Sequence, residues 1–107
     1  MEKIVQEDLA MIIQAIKLNT KIEKLFLFGS RAYGKPKSGS DLDIYLVIPD
    51  GDVDIFDLNA KIRFALYKKL SFPLDLVIAP KSVFERRSKT LTIESIIAKQ
   101  GVPIYGH

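Results

Sequence analysis

Three aspartates and a glycine–serine pair are the residues of this chain best suited to chemistry. Asp41 and Asp43 stand in Ser40-Asp41-Leu42-Asp43, where Leu42, Ile44, Leu46 and Ile48 alternate with Asp41, Asp43, Tyr45 and Val47. Alternation with period two predicts a strand with one fully apolar face. Both carboxylates then leave the other face, about 6.6 Å apart along the strand. Carboxylates at that spacing repel unless a cation lies between them. Mg2+ prefers oxygen ligands, usually one or two carboxylates plus substrate phosphate. Taken alone, D-x-D also describes the solvent half of an alternating strand. Asp75 interrupts the apolar run Leu74-Asp75-Leu76-Val77-Ile78, where an ionised carboxylate is costly without a partner. A neighbouring strand would bring it to the face that carries Asp41 and Asp43. Three converging acids fit one or two divalent ions, with one acid able to accept a proton. By itself, Asp75 reads better as a carboxylate hydrogen-bonded at a strand edge.

Gly29-Ser30 directly follows the apolar run Leu25-Phe26-Leu27-Phe28. Glycine lets a backbone approach a ligand closely, and a helix N-terminus after it would offer N–H groups to phosphate. A tight turn with a serine cap is the structural alternative. Two better-known motifs fail. Gly29 to Lys35 matches the start of a Walker A loop, but Pro36 stands where Ser or Thr must follow, and loop residues run on into a strand. Asp50, Asp52 and Asp54 resemble the start of an EF-hand, but Ile55 and Lys61 occupy the positions that need Gly and Glu. The chain has no cysteine, and its one histidine is His107, the last of 107 residues. The lack of cysteine excludes thiol nucleophiles and cysteine zinc sites, and the single terminal histidine speaks against histidine metal sites and Ser-His-Asp triads, which leaves carboxylates, hydroxyls and cations to act.

The elements that must position these groups are legible from periodicity. Ile4, Val5, Leu9, Ile12, Ile13 and Ile16 predict an amphipathic helix over 3–18. Residues 25–28 predict a buried strand, 34–40 a loop, 42–48 the alternating strand, and Pro49-Asp50-Gly51-Asp52 a turn. Ile55, Leu58, Ile62, Ala65, Leu66 and Leu70 predict a helix over 54–69, which Ser71-Phe72-Pro73 ends. A strand follows at 74–78, then a short helical turn within 81–87. A helix spans 90–100 with Gly101 as its stop, and 102–105 reads as an edge strand that tolerates Pro103. Strands interleaved with helices indicate an α/β layer structure in one domain covering 1–107, with a small mixed sheet of three or four strands packed with helices.

Composition agrees with a globular chain: 48% hydrophobic and 27% charged residues, net charge +3. That charge is too small for the dense basic stripe of a nucleic-acid binder. No apolar run is long enough for a membrane span, and the acidic N-terminus does not read as an export signal. The cytoplasm is therefore the expected location. From Ser38 to Ala60 there are aspartates but no lysine or arginine. Arg31, Lys35 and Lys37 stand before this stretch, Lys61 and Arg63 after it. Acids framed by cations suit a polyanion arriving with a divalent metal, and equally a solvated surface of mixed charge.

Gly29-Ser30-Arg31-Ala32-Tyr33-Gly34, then Ser40-Asp41-Leu42-Asp43, then Asp75 on a later strand resembles the signature of the DNA polymerase β-like nucleotidyltransferase superfamily. The similarity is close over residues 22–79, and the length resembles the minimal nucleotidyltransferases that serve as antitoxins beside HEPN-domain toxins. Tyr33 departs from the pattern, since many relatives carry arginine there. The resemblance implies that Gly29 and Ser30 hold the β- and γ-phosphates of ATP, with Arg31 and Ser40 also in the nucleotide site. It implies that Asp41 and Asp43 ligate Mg2+, and that Asp75 completes one metal site and helps deprotonate the acceptor hydroxyl. Two metal ions about 3.5–4 Å apart can stabilise both the attacking and the departing oxygen of an in-line displacement.

Larger relatives carry a helical domain that closes the cleft, and this chain of 107 residues is expected to end too soon to have one. The missing wall is expected from another polypeptide, a HEPN toxin first and a homodimer second. The resemblance implies an adenylyltransferase that moves AMP from ATP to a toxin tyrosine and so silences it. The alternatives are a catalytically silent antitoxin that masks its partner, and a nucleotidyltransferase for small molecules.

Overall fold

The computed structural model describes residues 2–34 and 40–105, and of Tyr33 the backbone alone. Lys35, Lys37 and His107 lie outside the described residues. The chain runs α1 (Lys3–Asn19), β1 (Lys24–Phe28), α2 (Ser30–Tyr33), β2 (Leu42–Ile48), α3 (Ile55–Ala65), β3 (Leu74–Pro80), α4 (Lys81–Ser88), α5 (Ile93–Gln100) and β4 (Val102–Tyr105). The strands form one mixed sheet in the order β3-β2-β1-β4. β1 is antiparallel to β2 and β4, while β2 and β3, joined through α3, are parallel. The α/β fold class and mixed sheet expected from the sequence are what the structure shows, with four strands and Pro103 in the edge strand.

Both faces of the sheet are covered. Leu25, Leu27, Leu42, Ile44, Leu46, Ile48, Leu76 and Ile78 pack against α1 and α3. Phe26, Phe28, Tyr45, Val47 and Ala79 face the other way, onto Phe84 of α4 and Ile97 of α5. β2 therefore presents more than the one apolar face its alternation predicts, because as an inner strand it is buried on both sides from Ile44 onward. On the second face, Phe84 lies 5.7 Å from Phe26 and 5.3 Å from Tyr45, ring centre to ring centre. Among the described residues no helix is long and apolar enough to cross a membrane.

Helix ends follow from local capping. Asp54 accepts the Asp57 N–H at 3.1 Å and starts α3. Asp50 accepts both the N–H (3.0 Å) and the hydroxyl (2.9 Å) of Ser82 in the first turn of α4, and so lengthens the expected helical turn into a full helix. Thr92 and Ser95 form a capping box, which moves the start of α5 from the expected Thr90 to Ile93. Asp57 pairs with Lys61 at 3.0 Å. Half of the aspartate cluster read from the sequence is thus engaged in helix structure, and only Asp41 and Asp43 belong to the site described below.

α3 is shorter than the predicted 54–69. Tight turns at Leu66 and Tyr67 precede Lys68, which adopts a left-handed backbone with φ 59°. The chain then meets Asp8. This α1 residue is completely buried, and its carboxylate accepts the N–H groups of Ser71 (2.9 and 3.0 Å) and Phe72 (2.9 Å). The predicted stripe of α1 shifts accordingly: Asp8 joins Val5, Leu9, Ile12 and Ile16 inside, while Ile4 is exposed.

A second buried acid ties α4 and α5 of the other face to each other and to β2. Glu94 accepts the Tyr45 hydroxyl at 3.0 Å and Arg87 Nε–H at 2.9 Å. Burial pushes the Glu94 carboxyl up, but Arg87, its own backbone N–H and Tyr45 outweigh this and hold it below its ordinary value. Burial beside Glu94 raises the Tyr45 phenol instead.

Two predictions follow from these acids. Asp8→Ala strands the Ser71 and Phe72 N–H groups and lowers unfolding free energy by about 1–3 kcal/mol in urea titrations, with little change in slope. A folded carboxyl held below its unfolded value binds fewer protons in the native state. Its stabilisation is complete above the ordinary 4.5 and is lost as pH falls through the lower folded value. Glu94→Gln therefore flattens the decline of stability as pH falls below about 4.5, read by denaturation at a series of pH values.

Candidate functional site

The apolar alternation that covers one face of the sheet also assembles the acids on the other. Leu42, Ile44, Leu46 and Ile48 of β2 and Leu74, Leu76 and Ile78 of β3 pack on the α1–α3 side. The residues between them must point away. The parallel register pairs Leu42 with Leu74, Asp43 with Asp75 and Ile44 with Leu76. Asp43 and Asp75 are therefore direct neighbours on adjacent strands, about 4.8 Å apart at the backbone. They lie where both strands begin, while α4 and α5 cover the later residues Tyr45, Val47 and Ala79. Asp75 is exposed and Asp43 half-buried.

This proximity has an electrostatic consequence. Burial raises the Asp43 carboxyl above its ordinary value, and the charges of Asp75 and Asp41 and a side-chain hydrogen bond with Asp75 raise it further. Asp41 is exposed just before β2. It acts on Asp43 through space, and among the described residues no three acidic, histidine or cysteine side chains close into a metal cage. Asp43 and Asp75 form the tight pair, and Asp41 stands at its rim. This donor set suits Mg2+ in kind, because all its atoms are carboxylate oxygens and their repulsion is what a bound cation relieves.

Gly29 closes the site from β1. Phe28 pairs across the sheet with Asp43, so the next residue passes over the Asp43 carboxylate. Gly29 has φ 75° and ψ −158°, a conformation essentially restricted to glycine. A Cβ there would lie 2.9 Å from Asp43 Cγ and nearer still to Oδ2. The absence of a side chain is thus required twice, by the backbone and by the acid. Ser30 follows as the exposed first residue of the single-turn α2. The helix start anticipated after Gly29 is present, but the helix is one turn long.

Arg31 and Ser40 meet at the same rim. Arg31 Nε–H donates to the Ser40 carbonyl at 3.0 Å, and its guanidinium lies 4.3 Å from the Phe72 ring centre. Pro73 accepts the Leu42 N–H at 2.8 Å. The buried carboxylate of Asp8 holds Phe72, Phe72 seats Arg31, and Arg31 holds the backbone next to Asp41. Sequence reasoning treated Ser71-Phe72-Pro73 only as a helix breaker and did not find this support. One signal was available: Asp8 stands three residues after Val5 and four before Ile12, on the buried stripe. The structure thus gathers Gly29, Ser30, Arg31, Ser40, Asp41, Asp43 and Asp75 at one end of the sheet. Among them, Arg31 is held by the Ser40 carbonyl and the Phe72 ring, and Asp43 by a side-chain hydrogen bond with Asp75.

Comparison with known proteins agrees with this fold. A family model described as "Polymerase beta, Nucleotidyltransferase" matches residues 10–106. No curated protein matches. Among solved structures, a Sulfolobus solfataricus protein described as a nucleotidyltransferase is similar over 98% of this chain and 88% of its own, with 18% identity and TM-score 0.60. A toxin–antitoxin structure with AMP-PNP is similar over 92% of this chain and 73% of its own, with 23% identity and TM-score 0.57. A toxin–antitoxin MntA–HepT structure covers 95% and 73%, with 22% identity and TM-score 0.54. At these identities the structural matches speak for the fold.

Gly29→Ala is expected to cost about 1–3 kcal/mol from backbone conformation, and the collision with Asp43 adds to it. Chemical denaturation measures the loss. Asp43→Ala in the same background removes the colliding carboxylate and recovers part of the stability.

Proposed function

The chain belongs to the polymerase β nucleotidyltransferase family, and from that premise we propose that it transfers AMP from ATP to a hydroxyl of a protein partner. The observation that carries this reading is the in-register pair Asp43–Asp75 beneath Gly29, with Asp41 at its rim. In the proposed reaction the acceptor oxygen forms a bond to the α-phosphorus, the bond from that phosphorus to the β-phosphate bridge breaks, and pyrophosphate departs. Asp75, exposed beside Asp43, takes the hydroxyl proton. Gly29 admits the triphosphate close to the backbone and Ser30 adds a hydroxyl donor. Arg31 and Ser40 hold the rim against which the phosphates lie. Asp41, Asp43 and Asp75 would hold Mg2+, which when bound neutralises the triphosphate and polarises the phosphorus under attack.

The adenine nucleotide is supported by the structural neighbour described with AMP-PNP. The partner is supported by the neighbours described as MntA–HepT toxin–antitoxin pairs. We assign residues 1–107 as one nucleotidyltransferase domain that acts in the cytoplasm as the antitoxin of such a pair. Its acceptor is a tyrosine of a HEPN toxin, whose surface supplies the second wall of the site. The open rim formed by Asp41 favours one second reading, an antitoxin that silences its toxin by binding alone.

The two readings separate in one experiment. ATP labelled at the α-phosphate, Mg2+ and the candidate toxin are combined with wild type or Asp43→Asn. Transfer to the toxin is expected with wild type, to fall at least ~100-fold with Asp43→Asn, and to cease in chelator. Absence of label together with full neutralisation by Asp43→Asn would overturn the enzymatic reading.

A further inference from the structure

The outer side of α3 carries an apolar stripe that is exposed among the described residues. Leu58 and Ile62 turn inward, whereas Phe56 and Phe64 are 86% and 84% exposed, with exposed Ala60 midway between them. At 3.6 residues per turn these three fall within a sector of about 80°, and the two rings are separated by about 12 Å along the axis. Tyr67, 69% exposed, continues the stripe past the helix end. Ala60 is shared by two grooves. One, of about 480 Å³, is lined by Asn19, Ala60, Lys61, Phe64 and Ala65. The other, of about 380 Å³, is lined by Ile55, Phe56, Asn59, Ala60 and Arg63.

The charges around this stripe select its occupant. Asp52, Asp54 and Asp57 precede Ala60, while Lys61, Arg63, Lys68 and Lys69 follow it. A second copy laid antiparallel puts each acidic half against a basic half, whereas a parallel copy would set like against like. The aromatic pattern has the same property, because a two-fold axis beside Ala60 exchanges the ends occupied by Phe56 and Phe64. A surface that complements itself in both respects meets the requirement of an isologous interface.

We propose that this chain forms a two-fold symmetric homodimer by antiparallel packing of α3 against α3 of a second copy, centred on Ala60. Phe56 of each copy lies beside Phe64 of the other, and the small Ala60 allows the helices to approach so that the rings enter the flanking grooves. Asp57 and Lys61, already paired on one flank of the stripe, come within reach of Lys61 and Asp57 of the second copy and close a four-charge network. α3 covers the face of the sheet opposite to Asp43 and Asp75, so the dimer leaves the acid site open. The inference does not rest on the proposed activity.

The test is the oligomeric state of the full chain, by sedimentation and light scattering from low micromolar to several hundred micromolar. A concentration-dependent dimer is expected. Ala60→Arg and Phe64→Glu alter exposed positions and should leave the circular dichroism spectrum unchanged while weakening the dimer at least ~10-fold. Asp57→Lys weakens it as well, and Asp57→Lys combined with Lys61→Asp restores it. A wild-type chain that stays monomeric throughout, or a dimer indifferent to Ala60→Arg, overturns the proposal. Failure of the double charge exchange to restore the dimer overturns the antiparallel pairing.

Discussion

The parallel register between β2 and β3 is the constraint on which the rest of the acid site depends. It pairs Asp43 with Asp75 because it pairs Leu42 with Leu74 and Ile44 with Leu76. The apolar residues have no choice of face: they must meet α1 and α3. A slip of one residue would drive Asp75 into that core and expose Leu74 and Leu76, a cost of several buried side chains at about 1.5–3 kcal/mol each. Hydrophobic packing on one side of the sheet thereby fixes an electrostatically unfavourable contact on the other. Repulsion within the acid pair is tolerated because the strands cannot relieve it without losing their core.

Gly29 and the α3–β3 connection stabilise that arrangement from two directions. From β1, the glycine turn passes directly over the Asp43 carboxylate. From below, the buried Asp8 orders the N–H groups of Ser71 and Phe72, and Phe72 carries the Arg31 guanidinium that holds the Ser40 backbone. These contacts link α1, at the back of the sheet, to the rim of the site at its front. Asn59 and Arg63 of α3 add to the anchoring by donating to the β3 carbonyls of Leu76 (3.0 Å) and Leu74 (2.9 Å). They occupy acceptors on the outer edge of the sheet that would otherwise be open to pairing.

The two faces of the sheet divide the surface of the molecule. On the α4–α5 side, Tyr45, Glu94 and Arg87 form a satisfied polar network two residues along β2 from Asp43, and the acids emerge where that layer ends. On the α1–α3 side, α3 shows aromatic rings to solvent. The acid pair and the exposed stripe of α3 thus lie on opposite sides of the sheet, which separates the two surfaces.

Much of this was legible in the amino-acid sequence. The D-x-D, the later Asp75 and Gly29-Ser30 are local patterns, and period-two alternation determines which side of a strand a residue leaves. Helix starts and lengths were less legible. They depend on Asp50 capping a helix 32 residues away, and on Asp8 capturing N–H groups 63 and 64 residues away. No local period encodes such partners. The sequence by itself determined the identity of the acids and the strands that carry them, because side-chain alternation is a property of each strand alone. Only the tertiary structure decided that Asp43 and Asp75 are neighbours while Asp41 stays at the rim. That outcome rests on strand order and register, which emerge from packing all the apolar faces at once.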